Sequence, residues 1–272
     1  MGTRARVSIL AVVFAVALAS KGTDAVQAQS EVERRPVAAI IFCDLPPDLD
    51  TTDAKNVALN VGRLILKFPP GSRVIVYPID CSEAPRIIAD VLVPHLPPSP
   101  AERMQKLDEL VDTASAAAQR IYKVFRDHYA DSCGCRCSCV LNTFGIAAQW
   151  FNQFGLAYAR ELVYFSEMME ECPKSALGKL SFARMRVDSA KARVERFPLS
   201  PMLEGVGLGI VVLPDPYGKS GRLPYTLRER EEIWSGVFTR AGISRDELMR
   251  WGFSDALPTK YDEYDPAKSS DW

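Results

Sequence analysis

The chain has 272 residues, enough for one large domain or two small ones with a sizeable core. An apolar fraction of 47% and a charged fraction of 25% exclude a chain that is disordered throughout. With a formal net charge of −1, the chain has no overall positive charge with which to bind nucleic acid. Two histidines make a histidine-based triad or a multi-histidine metal site hard to build.

The N-terminal region has the three-part pattern of a secretory signal peptide. Two arginines precede an apolar run over residues 7–19, and small residues then offer cleavage sites after Ala19 or Ala28. The apolar run is short for a membrane span, so an uncleaved anchor is the alternative interpretation. We therefore predict a signal peptide over residues 1–28 and an exported protein, periplasmic or secreted, that touches a membrane only if the signal is retained.

Hydrophobic periodicity in the remaining chain predicts alternating strands and helices. Short apolar runs predict buried strands over residues 37–44, 73–79, 161–166 and 206–213. Helical spacing predicts helices over residues 51–67, 100–130, 140–158 and 223–241. Residues 81–100 read as a loop with one helical turn, and residues 176–198 as a basic, partly helical stretch. This order predicts an α/β fold with a doubly wound, mostly parallel sheet and helices on both faces, in one domain over residues 36–252. Residues 253–272 form a polar tail.

Ligands of open parallel sheets bind beyond the carboxyl ends of the strands, so the residues that follow each strand are candidates for a site. The first strand ends on Cys43 and Asp44, and the second is followed by Asp80 and Cys81. An acidic stretch follows the third strand, and a cysteine-rich loop over residues 131–139 precedes the third helix. If the fold is as predicted, the acids and all seven cysteines converge on one edge of the sheet.

At these strand ends the chain resembles a von Willebrand factor A domain. That family has an Asp-x-Ser-x-Ser motif after its first strand, and this motif aligns with residues 44–48, DLPPD. The family's loop hydroxyl aligns with Ser138, which opens SCVLNTFGIAAQWF, and its later acid aligns with Glu167 in LVYFSEMMEE. The segments GIVVLPDPYG and IWSGVFTRAGI are also similar to bacterial members, so the resemblance covers roughly residues 36–245.

The resemblance implies a fold that binds protein partners rather than one that catalyses, with a metal-ion-dependent adhesion site for Mg²⁺ or Ca²⁺. Both motif hydroxyls are replaced here, by Pro46 and Asp48. Asp50 and Thr51 lie nearby in the sequence and could substitute for the lost hydroxyls. The alternative is a degenerate site in which Asp44 only caps or hydrogen-bonds the loop. The predicted oxygen ligands are Asp44, Asp48, Ser138 and Glu167.

The cysteine cluster allows two interpretations. In an exported protein, disulfides that join the loop to the strand ends are favoured. Alternate residues of an extended segment share a face, so the loop could instead present thiolates to Zn²⁺ or Cu⁺. The odd count leaves at least one thiol outside intramolecular bridges. The seven candidates are Cys43, Cys81, Cys133, Cys135, Cys137, Cys139 and Cys172.

Two functional hypotheses follow from these patterns. The first is an exported binding or assembly protein that is not an enzyme and engages a protein partner, but no nucleic acid, at the C-terminal edge of the sheet. The second is a thiol-based metal-binding or redox protein that uses the CGCRCSC loop. A hydrolase is disfavoured, because no serine or cysteine has an evident histidine partner in the sequence.

Overall fold

A five-stranded sheet lies at the centre of the computed structural model. The structure describes residues 35–44, 51–80, 85–97, 99–130, 138–175, 178–213 and 225–251. The predicted signal peptide, the C-terminal tail, Asp48, Cys81, Cys133, Cys135 and Cys137 lie outside these ranges. Among the described residues, no helix combines the length and apolar character that a bilayer crossing requires.

The elements alternate along the chain much as the periodicity predicts. The strands are β1 Val37–Asp44, β2 Arg73–Ile79, β3 Ala89–Leu92, β4 Ala159–Phe165, β5 Glu171–Ser175, β6 Gly178–Ser181 and β7 Val206–Val211. The helices are α1 Thr51–Lys67, α2 Pro100–Ala130, α3 Val140–Phe154, α4 Val187–Val194, α5 Leu227–Ala241 and α6 Arg245–Trp251.

The main sheet has the order β3-β2-β1-β4-β7, with β1 central and parallel to both β2 and β4. Strand β7 extends the sheet in parallel beside β4, and β3 pairs antiparallel with β2 at the other edge. All eight residues of β1 are buried, as a strand covered on both faces requires. The predicted mostly parallel α/β fold is therefore confirmed.

Alternating side chains of the strands pack into two hydrophobic clusters, one on each face of the sheet. Ile40 and Phe42 of β1 face the cluster that contains α3, α4 and α5. Ile41 and Cys43 face the cluster that contains α1 and α2. Because strand side chains point to opposite faces with period two, one apolar strand can supply both layers of the core.

The main differences from the sequence-based expectation lie at β3, at the junction of α3 and β4, and in the basic stretch. Residues 89–92 form strand β3 rather than a loop, with the alternating burial of an edge strand. Helix α3 ends at Phe154, a short 3-10 turn follows, and β4 then begins at Ala159, earlier than expected. The basic stretch contains strand β6 before α4, and β6 pairs with β5 in an antiparallel hairpin.

Helix α5 has well-formed ends. Thr226 and Glu229 make a reciprocal capping box at its start, which satisfies two backbone donors. Gly242 ends the helix with φ 102°, and a Cβ there would meet the backbone nitrogen of Glu204 at 3.0 Å. Gly236 lies inside the same helix with nothing within 4 Å of an added Cβ. The two glycines therefore form a matched pair on one helix.

We expect opposite effects from the same substitution at these two positions. Gly242→Ala should lower the free energy of unfolding by about 1–3 kcal/mol, because a left-handed backbone strains any other residue. Gly236→Ala should raise it by about 0.5–1 kcal/mol through helix propensity. Denaturant unfolding followed by circular dichroism measures both, and equal effects would contradict the described end of α5.

Candidate functional site

Asp44 is the centre of a buried hydrogen-bond network at the carboxyl edge of the sheet. Its side chain is 1% exposed, and its Oδ2 accepts hydrogen bonds from Ser138 Oγ at 2.8 Å and Ser166 Oγ at 2.7 Å. Ser138 precedes α3, and Ser166 directly follows β4. Three distant segments therefore meet at one carboxylate, and the structure brings the predicted residues Asp44 and Ser138 together.

The sequence analysis did not predict Ser166 as a site residue; it predicted the next residue, Glu167. Its position follows from strand register: Cys43 of β1 pairs with Phe165 of β4, so the next residues along the two strands, Asp44 and Ser166, also lie side by side. Ser166 Oγ additionally accepts the backbone N–H of Met168 at 2.8 Å. The serine thus links the carboxylate to the turn that leaves β4.

Two side chains of helix α5 hydrogen-bond to the backbone of this turn. Met168 has a positive φ of 56°, an uncommon conformation for a residue with a side chain. The indole N–H of Trp234 donates to the carbonyl of Met168 at 2.7 Å, and Arg230 Nη1 donates to the carbonyl of Glu167 at 2.5 Å. Both donors are buried, so the backbone after β4 is held in place by two side chains of one helix.

Glu167, the predicted later acid, lies at this edge and is 4% exposed. The preceding residue, Ser166, contacts Asp44 directly, whereas the carbonyl oxygen of Glu167 accepts a hydrogen bond from Arg230. The structure therefore places three of the four predicted oxygen ligands at one edge. Asp48, the fourth, lies outside the described residues.

Cys139 and Cys172 form a disulfide beside the oxygen cluster. It joins the residue before α3 to the hairpin strand β5, and both cysteines are nearly inaccessible. An isolated β-bridge lies next to it: Ser138 N–H donates to Glu171 O at 3.0 Å, and Glu171 N–H donates to Ser138 O at 2.8 Å. The bridge and the disulfide together fix the backbone of Ser138, whose hydroxyl reaches Asp44.

Cys43 has a different environment from this pair. It is a free thiol, fully buried in the cluster between the sheet and helices α1 and α2. Burial, and then the neighbouring charge of Asp44, raises the pKa of the Cys43 thiol well above its ordinary value. A thiol with a raised pKa in apolar surroundings is a poor nucleophile and a poor metal ligand.

Glu170 is a further buried acid that sequence reasoning did not single out. It is 0% exposed, and its Oε2 accepts the backbone N–H of Leu141 at 3.0 Å, at the start of α3. Its Oε1 has no hydrogen-bond partner among the described residues. Burial raises the pKa of Glu170 to about 8; the N–H groups of Leu141 and Val140 oppose this, and the charges of Asp44 and Glu171 add to it.

The donor chemistry at Asp44 fits a hard cation such as Mg²⁺ or Ca²⁺. Each serine hydroxyl has one proton and two acceptor lone pairs, and the proton goes to Asp44 in both cases. Lone pairs of Ser138 and Ser166 therefore stay available for a cation, although Ser166 uses one of its own for Met168. Carboxylate and hydroxyl oxygens are the ligands that such ions prefer.

A carboxylate with a different environment lies at the opposite edge of the sheet. There Arg73 forms a bidentate ion pair with Asp90, at 2.9 and 2.7 Å, in a partly exposed setting. The guanidinium also lies 5.7 Å from the ring centroids of Trp150 and Phe154. Asp90 is thus a carboxylate with its own partner, far along the strands from Asp44, and serves as a control position.

Comparison with known proteins gives structural neighbours only. No protein-family model matches the chain. No curated protein matches it either. Among solved structures it is similar to the conserved hypothetical protein BatB from Bacteroides thetaiotaomicron, with 11% identity, a TM-score of 0.41, and coverage of 86% of this chain and 98% of that one.

Two further structures show similarity of the same order. One is a von Willebrand factor type A protein from Catenulispora acidiphila, with 9% identity, a TM-score of 0.41, and coverage of 85% of this chain and 41% of that one. The other is an aerotolerance-related membrane protein from Bacteroides fragilis, with 11% identity, a TM-score of 0.31, and coverage of 78% and 94%. The fold assignment rests on this chain's own strand order and register.

The buried carboxyl of Glu170 predicts a specific pH dependence of stability. As the pH rises from 4.5 to about 8, the unfolded chain releases this proton while the folded chain keeps it. The folded state then binds more protons, so this group lowers the free energy of unfolding with rising pH, by at most about 1.4 kcal/mol per pH unit. Above this window its contribution is constant.

Glu170→Gln should remove that contribution, because the amide resembles the protonated carboxyl in shape and charge. We expect the difference in unfolding free energy, variant minus wild type, to grow in favour of the variant across the window. Urea unfolding at a series of pH values measures it. Glu231→Gln, at an exposed position of α5, is the control and should give a much flatter difference. An equally flat difference for Glu170→Gln would contradict the assignment.

Proposed function

We propose that this chain is an exported binding or assembly protein that engages a protein partner at the carboxyl edge of its sheet, through a divalent cation, and is not an enzyme. The observation that carries the proposal is the Asp44 carboxylate with two serine hydroxyls converging on one of its oxygens. The N-terminal pattern over residues 1–28 supports export.

The location of this cluster supports a binding role. The parallel strands β1 and β4 end at the same edge, and ligands of open α/β sheets bind outside that edge, where the strand order reverses. In this sheet the chain passes from β1 outward to β2 and β3 on one side, and later to β4 and β7 on the other. The reversal point therefore lies between β1 and β4, where Asp44 and Ser166 stand.

The electrostatics of the edge support a cation. Asp44 and Glu167 are buried there with Glu171 beside them, while Arg230 is the buried basic residue that contacts this turn. Glu170 keeps its proton at neutral pH, since burial raises its pKa to about 8, and it adds no charge. Carboxylates outnumber the basic side chain, which favours a positive ligand. The cation would be held by Asp44, Ser138, Ser166 and Glu167. Asp48, from the predicted ligand set, would add a further oxygen.

A cation held in this way gives a simple chemistry for partner recognition. Mg²⁺ requires six oxygen ligands and keeps water at positions that the protein does not fill. A carboxylate of a partner protein can replace such a water and bond to the cation directly. The partner surface that fits this edge therefore presents an exposed aspartate or glutamate.

Cation binding is tested by titration calorimetry of the oxidised chain with Mg²⁺, Mn²⁺ and Ca²⁺. We expect binding of one ion, weakened by about 10-fold or more in Asp44→Asn and in the double variant Ser138→Ala/Ser166→Ala, because these remove ligand atoms. Asp90→Asn removes a carboxylate at the opposite edge and should bind as the parent does. Absence of binding by the parent chain would remove the cation from the proposal.

Partner binding is tested by affinity capture from cell-envelope extract, with the parent chain and both aspartate variants as baits. Proteins captured in Mg²⁺ should be released by EDTA, should be missing from the Asp44→Asn bait and should be retained by Asp90→Asn. Cross-links from the captured protein should map near the ends of β1 and β4. Capture that is indifferent to EDTA and to Asp44→Asn would contradict a role for this edge.

A further inference from the structure

Three potential metal ligands of a different kind lie next to the oxygen cluster. One ligand atom from each of Cys139, Glu170 and Cys172 lies within 4.8 Å of the other two, and all three residues are at most 2% exposed. The two sulfurs are joined in a disulfide, which leaves neither of them as a thiolate. The cluster is therefore closed to a metal in its oxidised form.

The cluster has hydrogen-bond donors close to its oxygen and sulfur atoms. Cys139 directly precedes the 15-residue helix α3, and the N-terminus of a helix favours a thiolate. Leu141 N–H donates to Glu170 Oε2, and the side-chain amide of Asn142 lies 4.0 Å from Cys172 Sγ as a donor. These donors would support the carboxylate and thiolate forms that a bound cation requires.

Glu170 provides an independent indication of a ligand. Its side chain is fully buried, and Oε1 has no hydrogen-bond partner among the described residues, although a buried carboxyl oxygen normally has one. Packing does not explain a carboxyl group here, since an apolar side chain would fill the same space at lower cost. A cation between Glu170 and the two sulfurs would supply the missing partner.

We propose that reduction of the Cys139–Cys172 disulfide converts this cluster into a zinc site with two thiolates and the Glu170 carboxylate as protein ligands. The reductant is a dithiol, which supplies two electrons and two protons and becomes a disulfide itself. The S–S bond breaks, and each cysteine sulfur takes one proton. Zinc then binds both sulfurs and one carboxyl oxygen, and the protons on these groups leave to solvent.

The geometry suits zinc better than the hard cations of the neighbouring site. Two sulfurs and one oxygen form a borderline-soft donor set, and three protein ligands leave the fourth tetrahedral position open. Around tetrahedral zinc the ligand atoms lie about 3.5–3.8 Å apart. The present separations, all within 4.8 Å, reach that spacing by side-chain rotation once the S–S bond is broken.

Consecutive residues of one segment belong to the new site and to the oxygen site. Ser138 donates to Asp44, and the next residue, Cys139, belongs to the sulfur cluster. The edge would therefore hold a hard cation when the disulfide is closed and zinc when it is open. This inference does not depend on the proposed function, because the zinc site is tested on the reduced chain and the Mg²⁺ site on the oxidised chain.

The test measures Zn²⁺ and Co²⁺ binding to the full chain, oxidised or reduced with dithiothreitol and then freed of reductant without oxygen. A background variant with serine at Cys81, Cys133, Cys135 and Cys137 removes competing sulfurs. In this background the reduced chain should bind one Zn²⁺ at least about 100-fold more tightly than the oxidised chain. Bound Co²⁺ should show sulfur-to-metal charge transfer and the strong visible bands of tetrahedral coordination.

Matched variants decide which groups hold the ion. Cys139→Ser and Cys172→Ser should abolish the charge-transfer band or halve it, and Glu170→Gln should weaken zinc by about 10-fold or more while leaving two sulfur ligands. Cys43→Ala, in the opposite cluster, should bind zinc as the background does.

Two results would overturn the proposal. One is equal zinc affinity of the oxidised and reduced chains. The other is an unchanged affinity of the reduced Glu170→Gln variant, which keeps the disulfide, so that its folding can be checked by circular dichroism before reduction. The second result decides the matter even if a cysteine variant fails to fold.

Discussion

The buried carboxylate of Asp44 is the constraint on which the functional edge depends. A carboxylate that is 1% exposed is tolerated only when it is hydrogen-bonded, and its two hydroxyl donors lie 94 and 122 residues further along the chain. Satisfying this one group therefore requires the loop before α3 and the end of β4 to meet the end of β1. Trp234 and Arg230 of α5 then hold the backbone beyond Ser166 from the other side.

The same edge combines two donor sets of opposite character within a few residues. Ser138 contributes an oxygen to the Asp44 cluster, and Cys139 contributes a sulfur to the disulfide. One backbone step therefore separates a hard ligand from a soft one. The bridge between Ser138 and Glu171 joins this segment to the hairpin strand β5. A change in the sulfur chemistry therefore acts on the segment that positions the oxygen.

Much of the fold was predictable because it follows from local patterns. The continuous apolar run of β1 and the strand–helix–strand order that follows are enough to predict a parallel sheet, and the sheet in turn makes Asp44 a candidate. Strand β3 was not predictable in this way, because four alternating residues within a proline-rich segment carry little periodic signal. The β5–β6 hairpin was missed for a related reason, since its residues are mostly polar and basic.

The parts of the site that sequence reasoning missed are defined by tertiary register. Ser166 lies beside Asp44 because of the register in which β4 pairs with β1. The local sequence SEMME contains no feature that would select the serine rather than one of the acids. Glu170 sits in a stretch that reads as solvent-exposed, yet it is fully buried and keeps its proton up to a pH of about 8. Because a buried carboxyl in this state lowers stability at neutral pH, packing alone does not account for it. The closeness of its oxygen to the sulfurs of Cys139 and Cys172, all within 4.8 Å, is the geometric basis of the proposed zinc site.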